Sequence, residues 1–291
     1  MYTITKLEKE NKLITVEQKT WYSAQYDRVF KDIFGVPKNK KLLEAILKPI
    51  IGEDVEIIEY LRNELPEDNL DIKRKFVDLL VKTKDRYILI ELNNGLKSYT
   101  NNRNFAYFSN ISSSHLKVGD EYIELPDIDF YLISLDFGLE EISGNKIIRN
   151  FGLIEEETGE KFIKNIKVIS VNMDKIMEKP YNEEYRYLIM LGLEKEELDD
   201  FYKGDEIVEE FKKEINKLNS DPKFIQWMSA EEENQKVYKT DIGIARNEGL
   251  EEGQIKEKLA IITKLLSKGQ TKEQISEMLD MSLEEIEEIV N

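Results

Sequence analysis

FVDLLVKTKDRYILIELNN, residues 76–94, reads as two apolar strands joined by a tight turn at Lys84 and Asp85. Side chains alternate along a strand, so Phe76, Asp78, Leu80 and Lys82 share one face of the first strand. Tyr87, Leu89, Glu91 and Asn93 share one face of the second. With the turn centred on Lys84 and Asp85, Asp78 falls directly across from Glu91, with Cβ atoms roughly 4.5–5.5 Å apart. Two carboxylates so placed among Val, Leu and Ile repel each other and are costly to desolvate. A hard, oxygen-seeking cation such as Mg²⁺ or Mn²⁺ removes that cost. The bland alternative is an ordinary hairpin with two solvent-facing acids. Spacing by itself does not choose between them, because a one-residue slip would separate the pair.

The 291 residues suffice for one or two domains with a substantial core. The absence of cysteine excludes a disulfide framework, a thiolate nucleophile and thiolate-ligated metals. The single histidine, His115, reads as a helix-end or surface residue rather than a triad member. No stretch approaches the roughly 18 apolar residues of a membrane span, and the N-terminus lacks a signal-peptide core. A soluble, cytoplasmic protein is expected. The net charge of −17 disfavours nucleic acid only when taken as a sum. Residues 1–150 hold 22 basic and 25 acidic residues, whereas residues 151–291 hold 20 and 34. The first half also clusters Lys38, Lys40 and Lys41, then Lys73, Arg74 and Lys75, then Lys82, Lys84 and Arg86. Such clusters can grip phosphates, or they can be solvated surface.

Working outward, YDRVFKDIFG places Tyr26, Val29, Phe30 and Ile33 at helical spacing, with Gly35 as the stop and Asp27 and Lys31 on the other face. Asn39 to Ile51 repeats the pattern, and Val55 to Arg62 reads as a strand. Beyond the hairpin, Tyr99 to Leu116 reads as a helix carrying Arg103 and Tyr107, and Phe130 to Asp136 as a buried strand. Lys146 to Ile154 and Phe162 to Val171 form a further β pair turning at Thr158 and Gly159. From Tyr181 the chain is helical and acidic, with a long helix from Ala230 to about Ser267. Thr271 with Gln274, and Ser282 with Glu285, have capping-box spacing and close the chain as a helix–turn–helix unit. One Lys against seven acids between Thr271 and Asn291 argues for partner docking or self-association over DNA reading.

Four segments together resemble the Rpn-type recombination-promoting nucleases, also labelled transposases, of the PD-(D/E)XK nuclease superfamily. They are YDRVFKDIFG, FVDLLVKTKDRYILIELNN, NNRNFAYFSN with KVGDEYIELPDIDFYLISL, and GIARNEGLEEGQ, in that order. The resemblance implies an α/β restriction-endonuclease-like core, a mixed central sheet flanked by helices, followed by an α-helical C-terminal tail. Residues 1–178 would be the nuclease-like domain, 179–240 an acidic helical extension and 241–291 a C-terminal helical module. It further implies Mg²⁺- or Mn²⁺-dependent phosphodiester hydrolysis of double-stranded DNA, with no organic cofactor. Asp78 matches the first motif acid and Glu91 the second. Asn93 occupies the place of the superfamily lysine, where this family usually carries glutamine. Asp27 matches the N-terminal segment that often supplies another acid to the metal, and Arg103 the arginine of the helix after the second strand.

In that scheme Asn93 can orient a water but cannot carry charge. A positive group must come from elsewhere, with Arg103 and Lys97 as candidates and Lys73, Arg74 and Lys75 on flanking phosphates. Each has a structural alternative: an ion pair for Arg103, a helix-surface acid for Asp27. The competing function is a catalytically weak or silent nuclease fold that binds partners through its acidic tail. Cleavage of both strands suits a two-fold homodimer, for which the 230–267 helix could supply the interface.

Overall fold

The computed structural model describes residues 19–61, 77–95, 99–114, 128–138 and 146–290, the side chains of 113 and 114 excepted. It also describes the backbone of two short strands, β1 (Ile4–Leu7) and β2 (Leu13–Val16), which pair antiparallel. The chain divides into two compact units, Met1–Ile225 and Gln226–Asn291.

In the first unit α1 (Asp27–Phe34) buries Val29, Phe30, Ile33 and Phe34 and stops at Gly35. A Cβ at position 35 would stand 2.5 Å from the Lys31 carbonyl oxygen and 3.1 Å from Leu79 Cδ2, so only glycine lets the helix end rest on the sheet there. After a 3₁₀ turn, α2 (Lys40–Ile51) buries Leu42, Leu43, Ile46, Leu47 and Ile50. The strand expected over 55–62 contracts to β3 (Glu59–Tyr60). Side chains of α2 take the backbone just before it: Glu44 accepts the Ile57 N–H, and Lys40 Nζ donates to the Ile57 carbonyl.

The hairpin forms in the expected register. Strand β4 (Leu79–Lys82) pairs antiparallel with β5 (Arg86–Asn94), Leu79 opposite Ile90 and Lys82 opposite Tyr87. Thr83 closes the turn: its N–H donates to the Arg86 carbonyl, and its hydroxyl accepts the Asp85 and Arg86 N–H groups. Helix α3 (Thr100–Ser114) then crosses to β6 (Asp129–Phe137), parallel to β5. Strands β7 (Ile148–Phe151) and β8 (Ile166–Asn172) pair antiparallel, and β8 lies parallel to β6. The six-stranded order is β3-β4-β5-β6-β8-β7. Short helices α4 (Met173–Ile176), α5 (Arg186–Ile189) and α6 (Lys195–Asp200) lead to α7 (Glu206–Asn219), whose Phe211 stacks on Phe34 of α1. This is the mixed α/β architecture that the motif order implied.

One face of the sheet positions the site. Leu80, Tyr87, Leu89, Phe130 and Leu132 pack there against Phe108 and Ile111 of α3, with Tyr107 beside them. The buried stripe of α3 runs Thr100, Asn104, Phe108, Ile111, so its second half is apolar and its first half polar.

In the second unit α8 (Pro222–Ser267) ends on a small core of Ile262, Ile275 and Ile286, shared with α9 (Lys272–Leu279) and α10 (Leu283–Val290). Both expected capping boxes form, through Thr271 with Gln274 and Ser282 with Glu285. Gly35→Ala is expected to lower stability by about 1–3 kcal/mol, read as a loss of denaturant midpoint, because the clash is with backbone. An unchanged midpoint would mean that the last turn of α1 yields at the Lys31 carbonyl without cost.

Candidate active site

Asp78 and Glu91 lie side by side where the β4–β5 hairpin opens. Asp78 directly precedes β4, so its carboxylate is free to serve the next strand: Oδ2 accepts the Leu92 N–H at 2.7 Å. Its own N–H donates to Glu91 Oε1 at 3.4 Å. Both acids are buried, Asp78 at 8% and Glu91 at 2% exposure.

Two cations stand beside them. Lys31 of α1 places Nζ 2.8 Å from Asp78 Oδ1 and 3.0 Å from Asp27 Oδ1, so Asp27 joins the pair only through that ammonium. Arg103, at the start of α3, sets Nη2 3.8 Å from Glu91 Oε2 and 3.1 Å from Asn93 Oδ1. It also donates from Nε and Nη2 to Asn104 Oδ1, which fixes the guanidinium plane.

Asn93 faces the same side as Glu91 but is turned toward β6. Its Nδ2 donates to Ser134 Oγ at 2.7 Å and to Asp136 Oδ1 at 2.8 Å. Asp136, 2% exposed, also accepts from Ser134 Oγ at 2.9 Å and from Ser170 Oγ of β8 at 2.7 Å. Arg149 donates to Ser170 Oγ. A polar row thus crosses three strands, Asn93 beside Asp136 and Ser134 beside Ser170 in the parallel register. No Lys or Arg pairs with Asp136 among the described residues; hydroxyl and amide donors meet its carboxyl oxygens.

The electrostatics follow from burial. Desolvation, with the neighbouring Asp27 charge, raises the Asp78 carboxyl above the ordinary carboxylate range despite Lys31. Desolvation and Asp78 raise Glu91 likewise, against Arg103. Burial opposes the charge on Lys31, but Asp78 and Asp27 outweigh it and hold the ammonium above its usual value. Burial therefore disfavours the charged form of both acids more than the two cations restore it. Two buried oxygen donors, without histidine or cysteine, match a hard divalent cation in both charge and chemistry. Among the described residues no three acids or histidines converge on one point.

The residues expected from sequence divide three ways. Asp78, Glu91, Asn93 and Arg103 come together, while Asp27 stands outside, behind Lys31. Lys73, Arg74, Lys75, Lys97 and His115 lie outside the described residues. The basic cluster Lys82, Lys84 and Arg86 is at the turn, with Arg86 about 16 Å along β5 from Glu91 at roughly 3.3 Å per residue. Arg86 is engaged there by Asp85 and Glu53, so the local positive charge at the acids comes from Lys31 and Arg103 instead. Lys38 pairs with Glu214. Sequence reading missed Lys31, Asn104, Ser134, Asp136 and Ser170. The i, i+2 spacing of Ser134 and Asp136 within an apolar strand was the available signal.

A sequence model of the family described as PD-(D/E)XK nuclease family transposase matches residues 24–248, from α1 into α8. No curated protein and no solved structure matches the chain.

Because both carboxyls bind protons more tightly folded than unfolded, their contribution to stability is full below the ordinary carboxylate pKa of about 4 and is lost as pH rises through the raised folded values. Metal-free protein should therefore melt at lower temperature at pH 8 than at pH 5, and Glu91→Gln should flatten that slope. An identical slope in the variant would place the titration elsewhere. Asp136→Ala should cost about 2–4 kcal/mol in urea melts, since three donors lose their acceptor; a cost below about 1 kcal/mol would deny the network its weight.

Proposed function

The chain belongs to the PD-(D/E)XK nuclease family transposases, and from that membership we propose that it is a Mg²⁺-dependent DNA endonuclease in which Asp78 and Glu91 hold the metal. The observation that supports this most is the side-by-side burial of two carboxylates at the mouth of the hairpin, where desolvation raises both above their ordinary range. A divalent cation would relieve that cost. Proteins of this superfamily generally depend on a divalent metal, and Mn²⁺ is the natural substitute. Duplex DNA is the substrate that the family implies, in a recombination, mobile-element or defence setting.

Hydrolysis adds water across one P–O ester bond. The water oxygen bonds to phosphorus, the ester P–O bond breaks, and the departing oxygen gains a proton while the attacking water loses one. A divalent cation bound here would polarise the phosphate and make hydroxide available near neutral pH. The protein's own groups do the positioning. Leu92 N–H fixes one oxygen of Asp78, and Arg103 is braced by Asn93 and Asn104 beside Glu91. Arg103 can then donate to a phosphate oxygen without first ordering its side chain. Asn93, committed to Ser134 and Asp136, holds Arg103 rather than water. No helix among the described residues is long and apolar enough to cross a membrane.

That commitment of Asn93 also favours a second reading, a nuclease fold that binds metal and partners through its acidic tail without cutting. One pair of measurements separates the two. Mg²⁺ at about 100 times its dissociation constant should stabilise the parent by about 2.7 kcal/mol, and the parent should nick supercoiled plasmid. Asp78→Ala should lose both effects. Stabilisation without nicking would leave the second reading, and an Asp78→Ala protein that nicks as fast as the parent would sink the metal site. For the homodimer, α8 exposes Val237, Ile242, Ile244, Leu250 and Ile255, an apolar stretch that sedimentation can test as a self-association surface.

A further inference from the structure

Phosphoryl transfer at a metal-bound acid pair needs a cation aimed at the charge that builds on the phosphate. In this chain the motif position that would carry it is Asn93, a neutral side chain whose amide is already used by Ser134, Asp136 and Arg103. We propose that Lys31, delivered from α1, takes the role of the motif cation beside Arg103: its ammonium rests on Asp78 and moves onto a non-bridging oxygen of the scissile phosphate when DNA binds. The proposal rests on the nuclease reading above and adds the residue that completes it.

Four features of the geometry support it. Lys31 Nζ is 2.8 Å from the acid expected to hold the metal, so a phosphate bridging to that metal would lie within a short swing of the side chain. Exposure is graded. The side chains of Asp78 and Glu91 are 11% and 3% accessible, and those of Lys31 and Arg103 are 28% and 40%, so the two cations form the rim that an incoming anion meets first. Asp27 also holds the same ammonium at 3.0 Å, which would leave it an anchor if Asp78 were engaged by a metal. The close approach at Gly35, one helical turn on, sets α1 against Leu79 and so holds Lys31 at the hairpin mouth. In the transition state Lys31 donates a hydrogen bond and keeps its proton; the bonds made and broken are those of the hydrolysis above.

The chain contains no cysteine, which permits a clean test. Lys31→Cys introduces a single thiol. Its thiolate displaces bromide from 2-bromoethylamine, forming an S–C bond as the C–Br bond breaks and restoring an ammonium at nearly the length of lysine. Three proteins are compared, the parent, Lys31→Cys, and the aminoethylated variant, for plasmid nicking at saturating Mg²⁺ and for Mg²⁺ affinity by calorimetry without DNA. The expected result is nicking slowed by about 100-fold in Lys31→Cys, Mg²⁺ bound at least as tightly because a competing cation is gone, and most of the rate recovered on aminoethylation. A variant that nicks within about twofold of the parent, as order-of-magnitude reasoning on a lost cation forbids, would overturn the role. So would loss of Mg²⁺ affinity in parallel with rate, which makes Lys31 a mere prop for Asp78, or aminoethylation that restores nothing. A parent that binds Mg²⁺ but never nicks removes the nuclease reading and Lys31 with it, whereas an active parent with an inert substitution removes Lys31 alone.

Discussion

Two carboxylates buried side by side at the mouth of a β-hairpin constrain everything around them. In water two such charges repel weakly; inside a sheet of Val, Leu and Ile each must find compensation or take up a proton. The surrounding elements each supply part of it. Asp78 accepts a backbone N–H of the neighbouring strand, α1 brings an ammonium, and the first turn of α3 brings a guanidinium. Burial outweighs that compensation, which is why both groups are held toward their protonated forms.

The same face of the sheet is divided along its length. Nearer the turn it is apolar, Leu80, Tyr87 and Leu89 meeting Phe108 and Ile111; nearer the strand ends it is polar, with Glu91, Asn93, Ser134, Asp136 and Ser170. Strand alternation keeps these residues on one side, and parallel pairing of β5, β6 and β8 lines them up in rows. Helix α3 mirrors the division, Asn104 on the polar half and Phe108 on the apolar half. Buried polar atoms are tolerable here because nearly every one meets a partner of opposite hydrogen-bonding sense, and Asp136 accepts from three. The apolar half anchors the helix, and the polar half uses that rigidity to hold Arg103.

Charge is likewise partitioned along the chain. The acidic excess lies mostly after residue 150, away in sequence from the hairpin, so the overall −17 says little about the surface near Asp78. The second unit stands on its own small core of isoleucines, sealed by two capping boxes, and its many acids occupy exposed helical positions.

Local chemistry was enough to read much of this from sequence. The 3.6-residue period with Gly35 marked α1, alternation about the Lys84-Asp85 turn marked the hairpin that pairs Leu79 with Ile90, and Ser or Thr followed by Glu or Gln three residues on marked the last two helices. Those signals involve residues close in the chain, so propensity and alternation suffice. The partners of the acid pair were illegible for the opposite reason. Lys31 is 47 positions before Asp78 and Asp136 is 43 after Asn93, as the numbering shows, and each looked locally like a surface helix residue or the end of a buried strand. Whether a Lys is solvated or seated on a buried carboxylate depends on how closely α1 approaches β4, and whether Asn93 faces a water or Asp136 depends on which strand lies beside β5. Sequence by itself determined most of the elements and the two acids of the hairpin; tertiary packing decided the register that sets them side by side and which cations serve them, because charge compensation in a low-dielectric interior is set by distance in space and not along the chain.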